Sequence, residues 1–171
     1  GNTVTVSFTS NEAIATPTAS INGSAAVVAG GPLAWTASRA MIAGDTAGAV
    51  TFIISSLQDI TGNTIANVTS VTDASSVTFD KTGPTITPVT IASNNAVNTA
   101  YAKVGDTVTV TFTSDEALAT PTATINGSAA AVAGGPLAWT ASRAFAIGDA
   151  TGVISFTISA IADIGGNTAS D

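Results

Sequence analysis

Hydrophobic and polar residues alternate in two segments of the chain that have almost the same sequence. In Thr3–Thr9, the side chains of Val4, Val6 and Phe8 fall on one face, and threonine and serine fall on the other. Thr107–Thr113 repeats this pattern with a single substitution. A period of two in a run rich in β-branched residues is typical of a strand that buries one face. We therefore predict a half-buried strand in each segment.

Turn residues separate these segments from further strands. Asn22-Gly23 and Asn126-Gly127 lie in the middle of the runs Thr16–Val28 and Thr120–Val132, and Asn-Gly favours a tight hairpin turn because both residues tolerate positive φ. No segment shows a helical period. The other predicted strands are Leu33–Arg39, Gly48–Ser55, Ser75–Phe79, Thr85–Ala92, Leu137–Arg143 and Gly152–Ser159, in which Val50, Phe52, Ile54, Ile154, Phe156 and Ile158 are expected to face inward.

One unit of about 100 residues is present twice. Residues 1–64 align with residues 105–168 without a gap, and 45 of these 64 positions are identical. The sequence therefore predicts two domains, 1–80 and 81–171, of which the first lacks its first strand and the second lacks its last strand. Two interpretations are open: the chain is a segment of a longer tandem array, or it is a subunit whose missing strands come from neighbouring subunits.

The predicted architecture is all-β. About seven short strands in roughly 100 residues, separated by Gly, Pro, Asn and Asp, are typical of an immunoglobulin-like β-sandwich. Each copy has one tryptophan in the middle of a predicted strand, Trp35 or Trp139, as expected for a core residue of such a fold. We therefore expect tandem immunoglobulin-like sandwiches with about seven strands per repeat.

The composition excludes several classes of function. The chain has neither Cys nor His, so that a thiol nucleophile and the usual general base are absent and an enzyme is not expected. Four basic residues against eleven acidic ones give a net charge of −7, which argues against nucleic-acid partners. No apolar run reaches the roughly 20 residues of a membrane-spanning helix, so that membrane insertion of this segment is not expected. Arg39 and Arg143 are expected to hold their charges in water and their apolar stems over the strand surface.

Several motifs occur together in a fixed order. They are FDKTGP at Phe79–Pro84, GDTVTVTF at Gly105–Phe112, SDEA at Ser114–Ala117, TINGSAA at Thr124–Ala130, AWTASRA at Ala138–Ala144 and IADIGGN at Ile161–Asn167. This set resembles the bacterial Ig-like repeats of large surface adhesins, and the resemblance covers nearly the whole chain. In such proteins the repeats form a stalk. The resemblance therefore implies an extracellular or cell-surface location, with neighbouring Ig-like repeats of the same chain or of adjacent subunits as partners.

Three functions are compatible with these patterns. The leading one is a structural spacer, or stalk segment, of a secreted or cell-surface bacterial tandem-repeat protein, such as an adhesin or an extracellular fibre. The alternative is a subunit of an extracellular filament assembled by strand exchange between neighbouring chains. A glycan-binding module is less favoured, because Tyr101 is the one tyrosine and both tryptophans lie within predicted strands rather than loops.

Acidic residues are predicted to gather at one end of the second repeat. In a fold of consecutive antiparallel strands, the loops after alternate strands lie at the same end. Carboxylate and amide oxygens are ligands that Ca²⁺ prefers. The candidate ligands of a Ca²⁺ ion at the junction between repeats are Asp80, Asp115, Glu116, Asp163 and Asn167.

A second interpretation of these residues is open. In the motif D-x-x-G-N, the aspartate can accept hydrogen bonds from its own turn, so that Asp163 would be a turn cap rather than a metal ligand. The first repeat has Glu12, Asp59 and Asn63 at the corresponding positions, but Asn11 replaces the aspartate. The loss of this carboxylate weakens the prediction of metal binding for the first repeat.

Overall fold

The structure is a computed structural model that describes residues 1–169, and all of the regular structure within this range consists of β-strands. The prediction of an all-β chain is therefore confirmed. Two compact units divide the chain, Gly1–Lys81 and Thr82–Asp171, here called unit 1 and unit 2. Among the described residues, no helix is long and apolar enough to cross a membrane.

Unit 1 consists of short antiparallel strands in three small sheets. Its strands are β1 (Thr3–Thr9), β2 (Thr18–Ile21), β3 (Ser24–Ala25), β4 (Val27–Gly30), β5 (Ala34–Ala40), β6 (Gly48–Ala49), β7 (Phe52–Ser55) and β8 (Thr78–Phe79). One sheet has the order β1-β5-β4, a second has the order β3-β2-β7, and β6 pairs with β8. The β1–β5 ladder runs from Thr3 opposite Ala40 to Thr9 opposite Ala34.

Unit 2 repeats this arrangement with one strand more in its larger sheet. Its strands are β9 (Ile86–Ser93), β10 (Thr107–Ser114), β11 (Thr122–Ile125), β12 (Ser128–Ala129), β13 (Ala131–Gly134), β14 (Ala138–Ala144) and β15 (Phe156–Ser159). The larger sheet has the order β13-β14-β10-β9, and the smaller has the order β12-β11-β15. The pairs β10–β14 and β11–β15 correspond to β1–β5 and β2–β7 of unit 1.

The predicted strands and turns agree with the structure where a short local sequence pattern is enough to specify them. β1 begins and ends as the alternation of Thr3–Thr9 predicts. Asn22 and Gly23 both adopt positive φ, 50° and 77°, and connect β2 to β3 as a tight hairpin turn. The expected asparagine-glycine hairpin is therefore confirmed, and the same turn recurs at Asn126-Gly127.

The prediction of one continuous strand over Gly48–Ser55 is wrong. The segment divides into β6 and β7 because it changes partner: β6 pairs with β8, and β7 pairs with β2. The amide of Val50 donates to Val77, whereas the carbonyl of Thr51 accepts from Asn22. The predicted strand Ser75–Phe79 is likewise shorter in the structure, since only Thr78–Phe79 forms the ladder.

The core side chains of unit 2 are more completely buried than the equivalent side chains of unit 1. In unit 2 the inward side chains of β10 are fully buried, with Val110 and Phe112 each 0% exposed. Their counterparts in unit 1, Val6 and Phe8, are only partly buried. Both tryptophans are core residues, as predicted, and both indole N–H groups donate to a proline carbonyl.

Strand pairing explains the difference between the cores. β10 is an interior strand between β14 and β9, whereas β1 pairs with β5 and with no second strand among residues 1–169. Unit 2 has the reverse deficit: residues 65–79 of unit 1, which pair with Ile54 through Val68, have no counterpart among its described residues. Phe156 lies opposite the buried Ile125 and so points to the core face, as predicted, but it is 39% exposed there.

Candidate functional site

The turn Asp163–Asn167 is held by the buried carboxylate of Asp163, which is 4% exposed. One carboxylate oxygen accepts from the backbone N–H of Asn167 and the other from its side-chain amide, both at 2.8 Å. The backbone also bridges Leu118 to Asp163. These are the contacts of a carboxylate that caps its own turn, as the second interpretation of this motif describes.

Asp115 makes a different set of contacts in the same unit. Its two carboxylate oxygens accept from the backbone N–H and the hydroxyl of Thr85, at 2.8 and 2.7 Å. Thr85 immediately precedes β9, so that Asp115 fixes the point at which this strand enters the sheet. Asp115 itself is exposed.

The remaining candidate ligands are divided between the units. Carboxylate oxygens of Glu116 and Asp163 lie within 4.8 Å of each other in unit 2. The amide of Leu118 donates to Pro136 at 3.0 Å, so that the loops containing Asp115–Glu116 and Gly134–Pro136 are adjacent. Asp80 belongs to unit 1, where it is an exposed residue directly after β8. Binding of Ca²⁺ by these residues stays a prediction.

Unit 1 contains the same turn with more donors. Asp59 accepts from Asn63 N–H at 2.8 Å and from the Asn63 side-chain amide at 2.6 Å, and it also accepts from both the amide and the hydroxyl of Thr61. Gly165 replaces Thr61 in unit 2, so that the hydroxyl donor is lost there. A cavity of about 260 Å³ beside this turn is lined by Asn11, Glu12 and Asp59 among others.

Hydrogen bonds lower the pKa values of these carboxyl groups. The side-chain amide of Asn63 is the main cause of a pKa of Asp59 that is far below its usual value. The side-chain amide of Asn167 likewise lowers the pKa of Asp163, against a smaller opposing effect of desolvation. At Asp115, the backbone N–H of Thr85 is the main cause of a lowered pKa.

Acid is therefore expected to destabilise both turns. A carboxyl whose pKa is lower in the folded than in the unfolded state stabilises the fold above the unfolded value of about 3.9, and this effect is lost as the pH falls through the folded value. Asp163→Asn should lower the free energy of unfolding at about pH 6 and reduce its change between about pH 6 and about pH 3. Urea unfolding at the two pH values measures both quantities. An unchanged pH dependence in the variant would contradict the assigned role of Asp163.

An ion pair in each unit was not predicted from the sequence. The guanidinium of Arg39 donates to both carboxylate oxygens of Asp45, at 2.9 and 2.7 Å, and Asp45 also accepts from the amide of Ile42 at 2.8 Å. Arg143 pairs with Asp149 in unit 2. The expectation that the arginine charges lie in water is therefore wrong. Each guanidinium pairs with the carboxylate of the aspartate six residues further along, and this pair holds the intervening loop against the end of the strand.

The last residue of unit 1 also contacts this loop. The ammonium group of Lys81 donates to the carbonyl oxygens of Ala43 and Asp45, at 3.1 and 2.9 Å. The guanidinium of Arg39 is the main cause of the lowered pKa of Asp45, and Lys81 adds a smaller effect of the same sign. In both copies the arginine is followed by glycine after five residues and by aspartate after six. This repeated spacing is the signal that could have revealed the pair.

A large open cavity lies along β1 in unit 1. Its volume is about 1060 Å³, and its apolar lining includes Val6, Phe8, Trp35, Ile54, Val68 and Val77. The polar residues Thr5, Ser7 and Thr9, which alternate with the apolar residues of β1, also line the cavity. Among the described residues, Asp73 is the one titratable side chain that lines this cavity.

Comparisons of the chain with protein-family models, with curated proteins and with solved structures found no match.

Proposed function

We propose that the chain is a segment of a structural spacer, a stalk of tandem immunoglobulin-like β-sandwiches in a secreted or cell-surface bacterial protein. The observation that carries the proposal is the internal repeat, in which 45 of 64 aligned positions are identical. What is repeated consists of strands, turns and core residues. A rod of stacked repeats needs this kind of duplication, because each repeat contributes length and its own stability.

The paired carboxylates support the same proposal. Asp59 and Asp163 accept hydrogen bonds from their own turns, and Asp45 and Asp149 pair with arginines. A carboxylate that is duplicated with its structural partner fits a role in the stability of each repeat. We therefore propose a non-enzymatic role for the chain.

The denatured mass of the polypeptide in its native source tests the spacer. We expect a mass many times the 16.6 kDa of this chain, made up of further copies of the 104-residue unit. A mass near 16.6 kDa would contradict a stalk of many repeats. It would favour the second candidate function instead.

The second candidate is a subunit of an extracellular filament assembled by strand exchange between neighbouring chains. The observation that favours it is the second edge of β1, which has no partner among the described residues. Strand addition to such an edge is a recognised mode of assembly between chains. A glycan-binding module has less support, because Trp35 and Trp139 are 7% and 6% exposed and are not accessible for stacking on a sugar.

Binding of Ca²⁺ to the predicted ligands would stiffen one repeat against the next, which suits a spacer. We expect added Ca²⁺ to raise the melting temperature of the chain, and Asp163→Asn to abolish this increase because it removes a carboxylate ligand. Asp59→Asn is the matched control, since it removes the same turn cap in the repeat that has Asn11. Equal melting temperatures in Ca²⁺ and in a chelator would contradict the prediction.

A further inference from the structure

The loop between β5 and β6 accepts a contact from the residue at which the chain leaves unit 1. Lys81, the last residue of the unit, donates from its ammonium group to the carbonyl oxygens of Ala43 and Asp45, at 3.1 and 2.9 Å. These two hydrogen bonds are called the exit contact. Because the donor is charged, each of them is stronger than a hydrogen bond between neutral groups.

The loop that accepts the exit contact is itself held to the sheet. The side chain of Asp45 is 7% exposed, and its carboxylate accepts two hydrogen bonds from the guanidinium of Arg39 on β5. The same carboxylate accepts from the backbone N–H of Ile42, and the backbone N–H of Asp45 donates to the carbonyl of Ile42. Asp45 therefore fixes the loop to β5 through its side chain and presents its carbonyl oxygen to Lys81.

The backbone ladder that ends beside the exit contact is short. β8 pairs with β6 at two positions, Gly48 opposite Phe79 and Ala49 opposite Thr78, whereas β1 pairs with β5 at seven. Thr78 is exposed and Phe79 is only partly buried, so that burial adds little to the hold on β8. A strand held by so few pairs is expected to open locally at a low free energy. A further contact at its end therefore has a large relative effect.

We propose that the exit contact is a clasp that keeps the end of unit 1 closed when the chain beyond Lys81 is pulled. Force from that side reaches Lys81 before it reaches β8. The ammonium group transmits the force to the loop and, through Asp45 and Arg39, to β5, which lies between β1 and β4. β8 is thereby kept from separating from β6. The inference rests on the proposed function, because a spacer carries tension along its chain.

Force measurements on single molecules of the full chain test the clasp. The chain has no cysteine of its own, so that one handle at Gly1 and one at Thr82→Cys apply the force to unit 1 through Lys81. At constant force, Lys81→Met should shorten the lifetime of folded unit 1 by about three- to tenfold, because it removes both hydrogen bonds and keeps a side chain of similar length. An unchanged lifetime would overturn the proposal.

Two further variants test the route of the force. Lys103→Met is the matched control, because Lys103 is the other lysine of the chain and lies in unit 2, and it should leave the lifetime unchanged. Asp45→Asn weakens the pairing with Arg39 and should shorten the lifetime. Lys81→Met should then have a smaller effect in the Asp45→Asn chain than in the unmodified one, because the accepting loop is no longer fixed. An equal effect in both would contradict transmission through the ion pair.

A second pair of handles separates a clasp from a general contribution to stability. Handles at Gly1 and at Ala25→Cys, an exposed position in β3, apply the force to unit 1 without loading Lys81. Lys81→Met should leave the lifetime unchanged in this geometry. Equal shortening in both geometries would overturn the proposal, because a general loss of stability acts whatever the direction of the force. These results are independent of the native mass, so that the inference and the spacer function can fail separately.

Discussion

Phe112→Ala is expected to lower the free energy of unfolding of unit 2 by about 3–5 kcal/mol. Phe112 is 0% exposed between Val89 and Trp139 on the neighbouring strands, and truncation removes its contacts and leaves a cavity that a dense sheet core cannot close. Denaturant-dependent hydrogen exchange of the β10 amides reports this loss for unit 2 alone. The effect is large because Phe112 belongs to the larger of the two clusters of buried side chains among the described residues.

Phe8→Ala is the matched control, with the same residue at the same position of the repeat. Since Phe8 is only partly buried and borders the open cavity, its loss should cost about half as much or less. The β1 amides report the value for unit 1. Equal losses in the two units would mean that a second strand covers Phe8 in solution, even in the unmodified chain.

Gly134→Ala is expected to destabilise unit 2 by more than about 3 kcal/mol. Gly134 ends β13 with φ of 113°, a region in which residues with a side chain are strained. A Cβ atom there would overlap the carbonyl oxygen of Ala138 and approach the Cα of Trp139 to 3.1 Å. Both are backbone atoms, so that relief requires opening of the β13–β14 ladder. Urea unfolding measures the loss.

Gly127→Ala separates strain from overlap. Gly127 also has positive φ, 75°, in the hairpin turn, but a Cβ atom there would have no neighbour within 4 Å. Gly127→Ala should therefore lower the free energy of unfolding by about 1–2 kcal/mol, because a residue other than glycine is strained in the left-handed conformation. A cost for Gly134→Ala no greater than this would show that the hairpin moves to accommodate the methyl group.

The fold could be predicted where the determinants are local. The alternation of Thr3–Thr9 and the Asn22-Gly23 turn each act within a few residues, and the structure has both as predicted. The break within Gly48–Ser55 could not be predicted in this way, because it depends on a change of partner from β8 to β2. Which partner a strand finds is a property of the whole unit.

The same limit applies to the site residues. The turn around Asp163 follows from the local motif, and its two bonds to Asn167 are those of a turn cap. The bonds from Thr85 to Asp115 join residues 30 positions apart, and no pattern in the sequence indicated them. The pair Arg39–Asp45 was also not predicted. The alternating pattern places Arg39 on a strand, but it does not indicate that the following loop folds back and brings Asp45 to the guanidinium.

β1 and β10 differ in sequence at one position, yet β10 lies between two partner strands and β1 pairs with one among the described residues. The two strands therefore form an internal comparison in which the sequence is nearly constant and the number of partner strands changes. The difference in hydrogen-exchange protection between their amides measures what a second partner strand adds to the stability of a β-strand.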